Sequence, residues 1–265
     1  MVSENIFYKK NNMEKIFNGK VAIVTGGSFG IGRATAVAFA SRGAKVVVAD
    51  WVEDKDQQTM KMIKASGGEA IFIKCDVSNS SDVKSMTEKT ISTYGRIDFA
   101  FNNAGIEGAT ANTHECTEEN WDKTIGINLK GVWLCMKYEI SYMLKQGKGS
   151  IVNCASVAGL IGLVGLPVYV ASKHGVIGLT KTAALENAKQ GIRINGVCPG
   201  VIKTSMVDRI TGKDKEAEKK FIGMEPVGRM GHPEEVAEAV VWLCSDAASF
   251  VTGHALSVDG GWIAG

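Results

Sequence analysis

The chain has 265 residues, of which 45% are hydrophobic and 22% charged, and its formal net charge is +2. These values lie near the averages for globular domains, so composition speaks against a disordered chain, a membrane protein or a nucleic-acid-binding surface. The length suits one α/β domain with a full core.

The N-terminal residues contain no continuous apolar stretch of signal-peptide length. We therefore expect residues 1–17 to form a flexible extension, residues 18–265 to form the domain, and the protein to be cytoplasmic. The six cysteines show neither a CxxC pair nor a zinc-ligand spacing. Buried thiols in a reducing compartment, and no metal site, are the expectation.

Short β-branched runs alternate with amphipathic stretches along the rest of the chain. This pattern is typical of a parallel sheet covered by helices on both faces. We predict a single-domain α/β fold, a doubly wound (Rossmann-type) sheet of seven parallel strands that binds ligands beyond the carboxyl ends of the strands. The runs are Val21–Thr25, Lys45–Ala49, Ala70–Cys75, Ile97–Asn102, Ser150–Ala155, Ile192–Val197 and His254–Val258.

A glycine-rich turn, Gly26–Gly32, follows the first strand and precedes a predicted helix over Arg33–Ser41. Glycines there would let backbone N–H groups at a helix N-terminus approach a pyrophosphate. The motif reads T-G-x-x-x-G-x-G, and Thr35 stands in the place of the third glycine of the common G-x-G-x-x-G fingerprint. A purely structural connection between strand and helix is the alternative interpretation.

An acidic residue, Asp50, ends the second strand. A carboxylate at that place can accept hydrogen bonds from the hydroxyls of the adenosine ribose, and its charge would repel a 2′-phosphate. Neither Phe29 nor Trp51 supplies a basic group that could offset this repulsion, so NAD(H) is favoured over NADP(H). The alternative is that Asp50 caps the next helix.

Tyr169 and Lys173 lie four residues apart in Pro167–Ala188, a stretch of helical composition. Both side chains should therefore project from one helix face. A phenol acts as an acid or base near neutral pH only when a cation stabilises its phenolate form. Lys173 is the candidate cation, and an ordinary surface pair is the alternative.

The glycine motif and the Tyr-x-x-x-Lys pair together resemble those of the short-chain dehydrogenase/reductase family, over about Gly19 to Trp262. The resemblance implies that Tyr169 is the general acid/base and that Lys173 also holds the nicotinamide ribose. It implies that Ser156 donates a hydrogen bond to the substrate oxygen. It further implies that Asn128 is a fourth catalytic residue, which holds a water in a proton relay.

The same resemblance implies a cleft for NAD. Asn103-Ala104-Gly105 would line it, Asp76-Val77 would meet the adenine ring, and Pro199–Thr204 would hold the nicotinamide amide through the Ile202 backbone and the Thr204 hydroxyl. The expected cofactor contacts are Gly26, Ser28, Phe29, Gly30, Ile31, Asp50, Trp51, Asp76, Val77, Asn103, Ala104, Gly105, Tyr169, Lys173, Pro199, Gly200, Ile202 and Thr204.

The apolar stretch Val157–Leu166 predicts a mainly apolar substrate pocket, although the same leucines could pack the core or a subunit contact. A charged segment at residues 203–224, which we call the lid, is typical of a mobile helical excursion over the sheet edge. Its Met206, Ile210 and Phe221 would add to the pocket. We expect a small apolar or cyclic alcohol or ketone as substrate.

Apolar residues between Thr117 and Lys145 cover more than one helix face. Members of the resembled family are commonly tetramers built on such helices, so we predict a homotetramer without a nucleic-acid or membrane partner. The residues are Trp121, Ile125, Trp133, Met136, Tyr138, Ile140 and Met143.

Two other functions are compatible with these residues. A 3-oxoacyl-thioester reductase resembles the chain equally in its catalytic residues, but it generally draws on NADPH, against which Asp50 speaks. A non-catalytic NAD(H)-sensing protein would have lost part of the catalytic set, whereas all four positions are filled here.

Overall fold

Seven strands form one sheet in the computed structural model, which describes residues 14–52, 57–212 and 214–264. The strands are β1 (Val21–Thr25), β2 (Lys45–Asp50), β3 (Glu69–Lys74), β4 (Phe99–Asn102), β5 (Gly149–Cys154), β6 (Ile192–Pro199) and β7 (Ala255–Val258). Their spatial order is β3-β2-β1-β4-β5-β6-β7, and every neighbouring pair is parallel. The predicted doubly wound sheet is confirmed, with each strand end within two residues of its predicted position.

Helices connect the strands and cover both faces of the sheet. They are α1 (Gly30–Ser41), α2 (Gln58–Ala65), α3 (Ser80–Tyr94), α4 (Glu118–Ile125), α5 (Gly131–Gln146), α6 (Pro167–Asn187), α7 (Ser205–Thr211), α8 (Lys215–Met224) and α9 (Pro233–Cys244). Among these described helices, none is both long and apolar enough to cross a membrane. The lid contains α7 and α8, and its mobility stays a prediction.

Alternate side chains of the strands enter two separate cores. Val24 of β1 packs with residues of α1 and α9, whereas its neighbour Ile23 packs with residues of α3, α5 and α6 on the other face. Period-two alternation of this kind is what a sheet buried on both faces requires. Since both faces are covered, the strand ends are where a ligand can reach the sheet.

Phe17 is packed into the domain, although the expected extension included it. The Phe17 side chain is 2% exposed, and its ring centre lies 4.7 Å from that of Phe99 and 5.6 Å from that of Phe39. Burying such a ring typically stabilises a fold by about 1.5–3 kcal/mol, enough to hold this residue in the domain. Residues 1–13 of the expected extension lie outside the described residues.

The six cysteines are free thiols, and all except the partly exposed Cys116 are buried. The prediction of buried thiols is therefore confirmed for five of them. Burial raises the pKa of Cys75, Cys198 and Cys244 to about 12, so these side chains stay protonated and behave as small apolar groups.

The strand order reverses at β1, which lies between β2 and β4. The chain runs outward from β1 through β2 to β3 and then returns to the other side of β1 with β4. The connections that leave β1 and β4 therefore turn in opposite directions, and a crevice opens between them. The glycine turn and Asn103 stand at this crevice.

Candidate active site

The glycine turn ends in an uncapped helix N-terminus beyond β1. Helix α1 begins at Gly30, three residues earlier than predicted, so Ile31 and Gly32 lie in its first turn. Among the described residues, no side chain caps this N-terminus, and no acidic residue lies in the first turn. Its backbone N–H groups and the positive end of the helix dipole suit an anionic group such as a pyrophosphate.

Close neighbours on two sides require glycine in this turn. Gly26 has a φ of +63°, and a Cβ there would lie 2.8 Å from Asn103 Nδ2. A Cβ on Gly32 would lie 2.7 Å from the same nitrogen, and a Cβ on Gly30 would lie 3.0 Å from Thr204 Cγ2. The turn therefore faces both Asn103 and Thr204 across narrow gaps.

Asn103 fastens the end of β4 to the glycine turn. Its Nδ2 donates to the carbonyl oxygens of Thr25 (3.0 Å) and Gly26 (3.3 Å). The Thr25 hydroxyl accepts from the backbone N–H groups of Asn103 (3.0 Å) and Ala104 (3.1 Å). This role of Thr25 was not predicted, although a hydroxyl at the end of the central strand was a signal for it.

Asp50 lies at the end of β2 with its carboxylate beside the glycine turn, and it is 8% exposed. Its Oδ2 accepts from the Ser28 N–H (3.1 Å), and its Oδ1 accepts from the Val52 N–H (3.2 Å). The alternative that Asp50 caps the next helix is wrong, because Gln57 is the N-cap of α2. The remaining lone pairs of the carboxylate are free to accept from ribose hydroxyls.

A basic group does lie at the glycine turn, although neither Phe29 nor Trp51 supplies it. The Arg33 guanidinium lies 5.4 Å from the centre of the Phe29 ring. It donates to the Ser28 carbonyl oxygen and to the Thr59 hydroxyl (3.0 Å). Trp51 is 69% exposed. The charge balance at this end of the cleft therefore includes Arg33 as well as Asp50, and the contribution of Arg33 was not predicted.

The pair expected to meet adenine follows β3. The exposed Asp76 accepts from the Ser78 N–H (2.9 Å) and hydroxyl (2.7 Å). Val77 is buried against Gly131, where a Cβ would lie 2.8 Å from Val77 Cγ2. The Asp76 N–H also donates to Asp82 of α3 at 3.1 Å. The described contacts of this pair are thus made within its own turn and with α3 and α5, and not with the glycine turn.

Tyr169 and Lys173 lie on the same face of α6. Lys173 Nζ is 5.5 Å from the centre of the Tyr169 ring. The Lys173 side chain is buried, and its Nζ donates a hydrogen bond of 2.8 Å to the carbonyl oxygen of Cys154 at the end of β5. A buried ammonium at this distance favours negative charge on the atoms around it.

Ser156 follows β5 and precedes a 3₁₀ turn, Val157–Gly159. Its Oγ accepts from the Ala158 N–H at 3.1 Å, and among the described residues none accepts its hydroxyl hydrogen. A Cβ on Gly159 would lie 2.8 Å from the Lys173 carbonyl oxygen, so this turn packs directly on α6. The Ser156 hydroxyl can therefore donate to a substrate oxygen beside α6.

A π-helical turn, Gly126–Lys130, joins α4 to α5 and carries the fully buried Asn128. Its Oδ1 accepts from the Ile106 N–H (2.8 Å), and its Nδ2 donates to the Ile106 carbonyl oxygen (2.8 Å) and to Ser172 Oγ (3.2 Å). Such π turns are frequent at functional sites. Asn128 thus fixes the backbone after β4, and the second lone pair of its Oδ1 is available to a water.

Gly105 stands between Asn128 and the catalytic candidates on α6. A Cβ on Gly105 would lie 3.2 Å from Asn128 Oδ1 and 3.7 Å from Lys173 Nζ. The segment after β4 therefore brings Asn128 and Lys173, which are 45 positions apart in the printed sequence, to the same spot.

The segment Pro199–Thr204 begins at the last residue of β6 and faces the glycine turn through Thr204. The Thr204 hydroxyl donates to the Ile202 carbonyl oxygen at 3.2 Å. A residue that the sequence analysis missed also acts here: the Glu225 carboxylate accepts from the Val201 N–H at 2.6 Å. No motif pointed to Glu225, because its contact depends on how the lid returns to the domain.

The apolar stretch after Ser156 divides between core and surface, which corrects the expectation that all of it lines a pocket. Val157 and Ala158 are buried because the 3₁₀ turn points them into the domain. Leu160 and Val164 are 37% and 98% exposed. The candidate pocket wall is therefore limited to residues 160–166.

The lid is tied to the loop after β4 by an ion pair. Arg209 of α7 donates to Glu107 through Nε (2.8 Å to Oε1) and Nη2 (3.1 Å to Oε2). Among the three lid residues expected in the pocket, Met206 and Phe221 are partly buried and Ile210 is 45% exposed. The two-pronged contact links the lid to the segment that also carries Gly105.

These residues fit a dinucleotide. The uncapped α1 N-terminus suits the pyrophosphate, and the Asp50 carboxylate suits the ribose hydroxyls. Missing Cβ atoms at Gly26 and Gly30 let the turn lie directly against Asn103 and Thr204, so three segments meet at one crevice. A phenol with a buried ammonium at the same crevice can accept or donate a proton there.

Comparison with known proteins gives matches over almost the whole chain. Residues 26–263 match a family model described as Enoyl-(Acyl carrier protein) reductase. Cyclohexanol dehydrogenase of Acinetobacter sp. (strain SE19) is 47% identical over 254 residues, or 94% of this chain and 99% of that protein. A 2,5-dichloro-2,5-cyclohexadiene-1,4-diol dehydrogenase of Sphingobium indicum (strain B90A) is 45% identical over 93% of this chain and 98% of its own. The crystal structure of levodione reductase has a TM-score of 0.90 at 38% identity, covering 92% and 98% of the two chains.

Proposed function

The chain belongs to the short-chain dehydrogenase/reductase family, and we propose that it is an NAD(H)-dependent dehydrogenase of small cyclic secondary alcohols. The observation that carries this proposal is the buried Lys173 ammonium, 5.5 Å from the centre of the Tyr169 ring. The substrate class is supported by the ring-shaped alcohols in the names of the two full-length relatives.

Each residue of the crevice has its own role in alcohol oxidation. When bound, NAD⁺ supplies the acceptor for the hydride that leaves the carbinol carbon. The Tyr169 oxygen takes the proton of the substrate hydroxyl, and the positive charge of Lys173 stabilises the negative charge that this oxygen carries beforehand. Ser156 donates its free hydroxyl hydrogen to the substrate oxygen. Ketone reduction reverses these steps.

Asn128 acts at the inner side of the same crevice. It holds both backbone groups of Ile106, and so sets the position of the segment that carries Gly105. The second lone pair of its Oδ1 accepts from a water that takes part in carrying the proton away. Its role is therefore to position this segment and to relay a proton.

Cofactor preference follows from the charges at the second strand. The Asp50 carboxylate is buried and would lie against the 2′-phosphate of NADP(H). Bringing two negative charges together in a partly dry site costs several kcal/mol. Arg33 donates to Ser28 and Thr59, so part of its hydrogen-bonding capacity is already used inside the protein. We therefore propose NAD(H) as the natural cofactor.

A homotetramer fits the distribution of apolar side chains on α4 and α5. Met136 and Met143 are buried in the core, whereas Trp121 and Trp133 are 47% and 44% exposed. Trp133 and Leu179 line an apolar groove between α5 and α6. Exposed aromatic side chains beside an apolar groove are typical of a surface that a second copy covers.

The experiment that tests this function is a rate measurement with matched pairs of substrates. Purified protein is given cyclohexanol or hexan-2-ol with NAD⁺ or NADP⁺, and NADH or NADPH formation is followed by absorbance. We expect the highest kcat/KM with cyclohexanol and NAD⁺. Faster turnover of an acetoacetyl thioester with NADPH would favour the 3-oxoacyl-thioester reductase, and cofactor binding without turnover of any alcohol or ketone would favour the sensor.

A further inference from the structure

Glu225 is a buried carboxylate outside every motif of the sequence. It follows the last residue of α8 and is 4% exposed. Burial raises its pKa, the nearby Asp259 carboxylate adds to this rise, and the hydrogen bond from Val201 opposes it. A buried acid needs a partner to offset the loss of water, and the partner here is the Val201 backbone N–H at 2.6 Å.

The contact with Val201 completes a set of bonds around the segment expected to hold the nicotinamide amide. On one side of Val201, the Gly200 N–H donates to the Val258 carbonyl oxygen at 3.1 Å. The Val201 carbonyl oxygen accepts from the Gly231 N–H at 2.9 Å, and the Lys203 N–H donates to the Gly231 carbonyl oxygen at 2.9 Å. The backbone on both sides of residue 202 is therefore held by the protein.

Two backbone N–H groups of this segment, those of Ile202 and Thr204, have no acceptor among the described residues. Among the described residues, none accepts a hydrogen bond from the Ile202 N–H, although its neighbours at 200, 201 and 203 all donate to protein oxygens. Because the amides of residues 201 and 203 are fixed by the protein, the Ile202 N–H between them is held ready for an external acceptor, such as a carboxamide oxygen.

The space for Glu225 is provided by missing side chains. A Cβ on Gly260 would lie 2.8 Å from Glu225 Oε2, and a Cβ on Gly200 would meet Glu225 Oε1. The Val227 N–H donates to the Gly260 carbonyl oxygen at 3.2 Å, which ties the chain after Glu225 to the C-terminal turn. The carboxylate thus lies between the segment after β6 and the C-terminal turn, and contacts with both of them fix its position.

We propose that Glu225 is a positioning residue for the nicotinamide end of the cofactor. By holding the Val201 N–H, it keeps the Ile202 backbone oriented toward the carboxamide of the nicotinamide. It also joins the end of the lid to that segment, since α8 ends at Met224. The inference rests on the proposed function, because it takes this segment to be the nicotinamide site.

The test compares NADH with ADP-ribose, which contains both riboses and the pyrophosphate of the cofactor and lacks only the nicotinamide ring. Dissociation constants are measured by titration calorimetry for wild type, Glu225→Ala and Glu225→Gln. Glu225→Ala leaves the buried Val201 N–H without an acceptor, so the neighbouring Ile202 backbone is held less firmly. We therefore expect this variant to bind NADH about tenfold more weakly than wild type and ADP-ribose within about twofold of wild type. Glu225→Gln keeps an acceptor oxygen and should bind NADH close to wild type.

Further variants separate positioning from folding. Glu225→Asp shortens the side chain by one methylene and moves the carboxylate away from the Val201 N–H. It should weaken NADH binding and leave ADP-ribose binding unchanged, as in the alanine variant, and it serves as the test if the alanine variant fails to fold. Glu216→Ala, at an exposed position of α8, is the matched control and should change neither constant.

Three results would overturn the inference. They are an equal loss of NADH and ADP-ribose affinity, no loss of either, and a failure of both the alanine and the aspartate variant to fold. A wild-type protein that binds neither ligand would instead contradict the proposed function itself, and the inference with it.

Discussion

Lys173 reaches from α6 to the carbonyl oxygen of Cys154 at the end of β5, with a hydrogen bond of 2.8 Å. The sheet, and not the helix alone, therefore fixes where the ammonium stands. A lysine anchored in this way cannot turn toward solvent without leaving a buried carbonyl oxygen unpaired. The charge consequently stays beside Tyr169, one helical turn away.

Replacing Tyr169 by Phe should abolish turnover and leave the cofactor in place. General acid–base catalysis contributes on the order of 100-fold or more, so kcat should fall at least that far, while NADH binding stays near wild type. Initial rates with cyclohexanol and calorimetry with NADH measure the two effects. The control is Tyr142→Phe, which removes the phenol hydroxyl of a tyrosine on α5. A Tyr169→Phe variant that keeps more than a tenth of the wild-type rate refutes the assignment.

Replacing Asp50 by Asn should weaken the preference for NAD⁺ over NADP⁺. The amide keeps an acceptor oxygen and loses the charge, so the ratio of the two kcat/KM values should shift toward NADP⁺ by on the order of tenfold. The same rate assay with both cofactors measures this ratio. Asp246→Asn, at an exposed ion pair with Lys148, should leave it unchanged. An unaltered ratio in Asp50→Asn would show that Arg33 or another group sets the preference.

Protein stability should depend on the protonation of Glu139 of α5. This carboxyl is fully buried, and its Oε2 accepts from Asn102 Nδ2 at 3.0 Å. Burial raises its pKa to about 7, despite this hydrogen bond. The ionisable groups that interact with it are Cys75 and Cys135, whose own pKa values are raised by burial, so both are neutral.

The direction of the pH effect follows from these pKa values. The folded state holds the proton of Glu139 more tightly than the unfolded state does. The stabilisation of the fold by this proton is therefore complete below about pH 4 and is lost as the pH rises to about 7. Glu139→Gln resembles the neutral acid and lacks this loss. The melting temperature of Glu139→Gln, relative to that of the wild type, should therefore rise between pH 4 and pH 8. The rise should correspond to about 3 kcal/mol of unfolding free energy.

Thermal melts across that pH range measure the effect of Glu139→Gln. The control is Glu216→Gln on the surface of α8, whose melting curve should follow that of the wild type at every pH. Parallel pH profiles for wild type and Glu139→Gln would mean that Glu139 does not hold an extra proton in the fold.

A charge at Trp133 should break up the proposed tetramer. The indole is 44% exposed beside an apolar groove, and a buried, unpaired carboxylate at an interface is strongly unfavourable. Light scattering at micromolar concentration should show a tetramer for wild type and a smaller species for Trp133→Glu. Leu144→Glu, near the end of the same helix, is the control. A monomeric wild-type protein would remove the prediction altogether.

Several features of the crevice were out of reach of the sequence, although the fold was not. The spacing of glycines after β1 and of Tyr169 and Lys173 identified two segments that the structure brings to one crevice. Arg33 was overlooked because its contact with the glycine turn depends on the packing of α1 against Thr59. Val157 and Ala158 were included in the predicted pocket wall, since only the 3₁₀ turn itself decides that they point inward.

The sequence by itself determined the seven parallel strands, the glycine turn and the shared helix face of Tyr169 and Lys173, because these depend on side-chain periodicity and on sterics between near neighbours. Tertiary structure alone decided that Asn128 holds Ile106, that Phe17 is part of the core and that Glu225 bonds to Val201. Each of these contacts joins segments that are distant along the chain. Their energy depends on the burial and alignment of both partners, which no local pattern encodes.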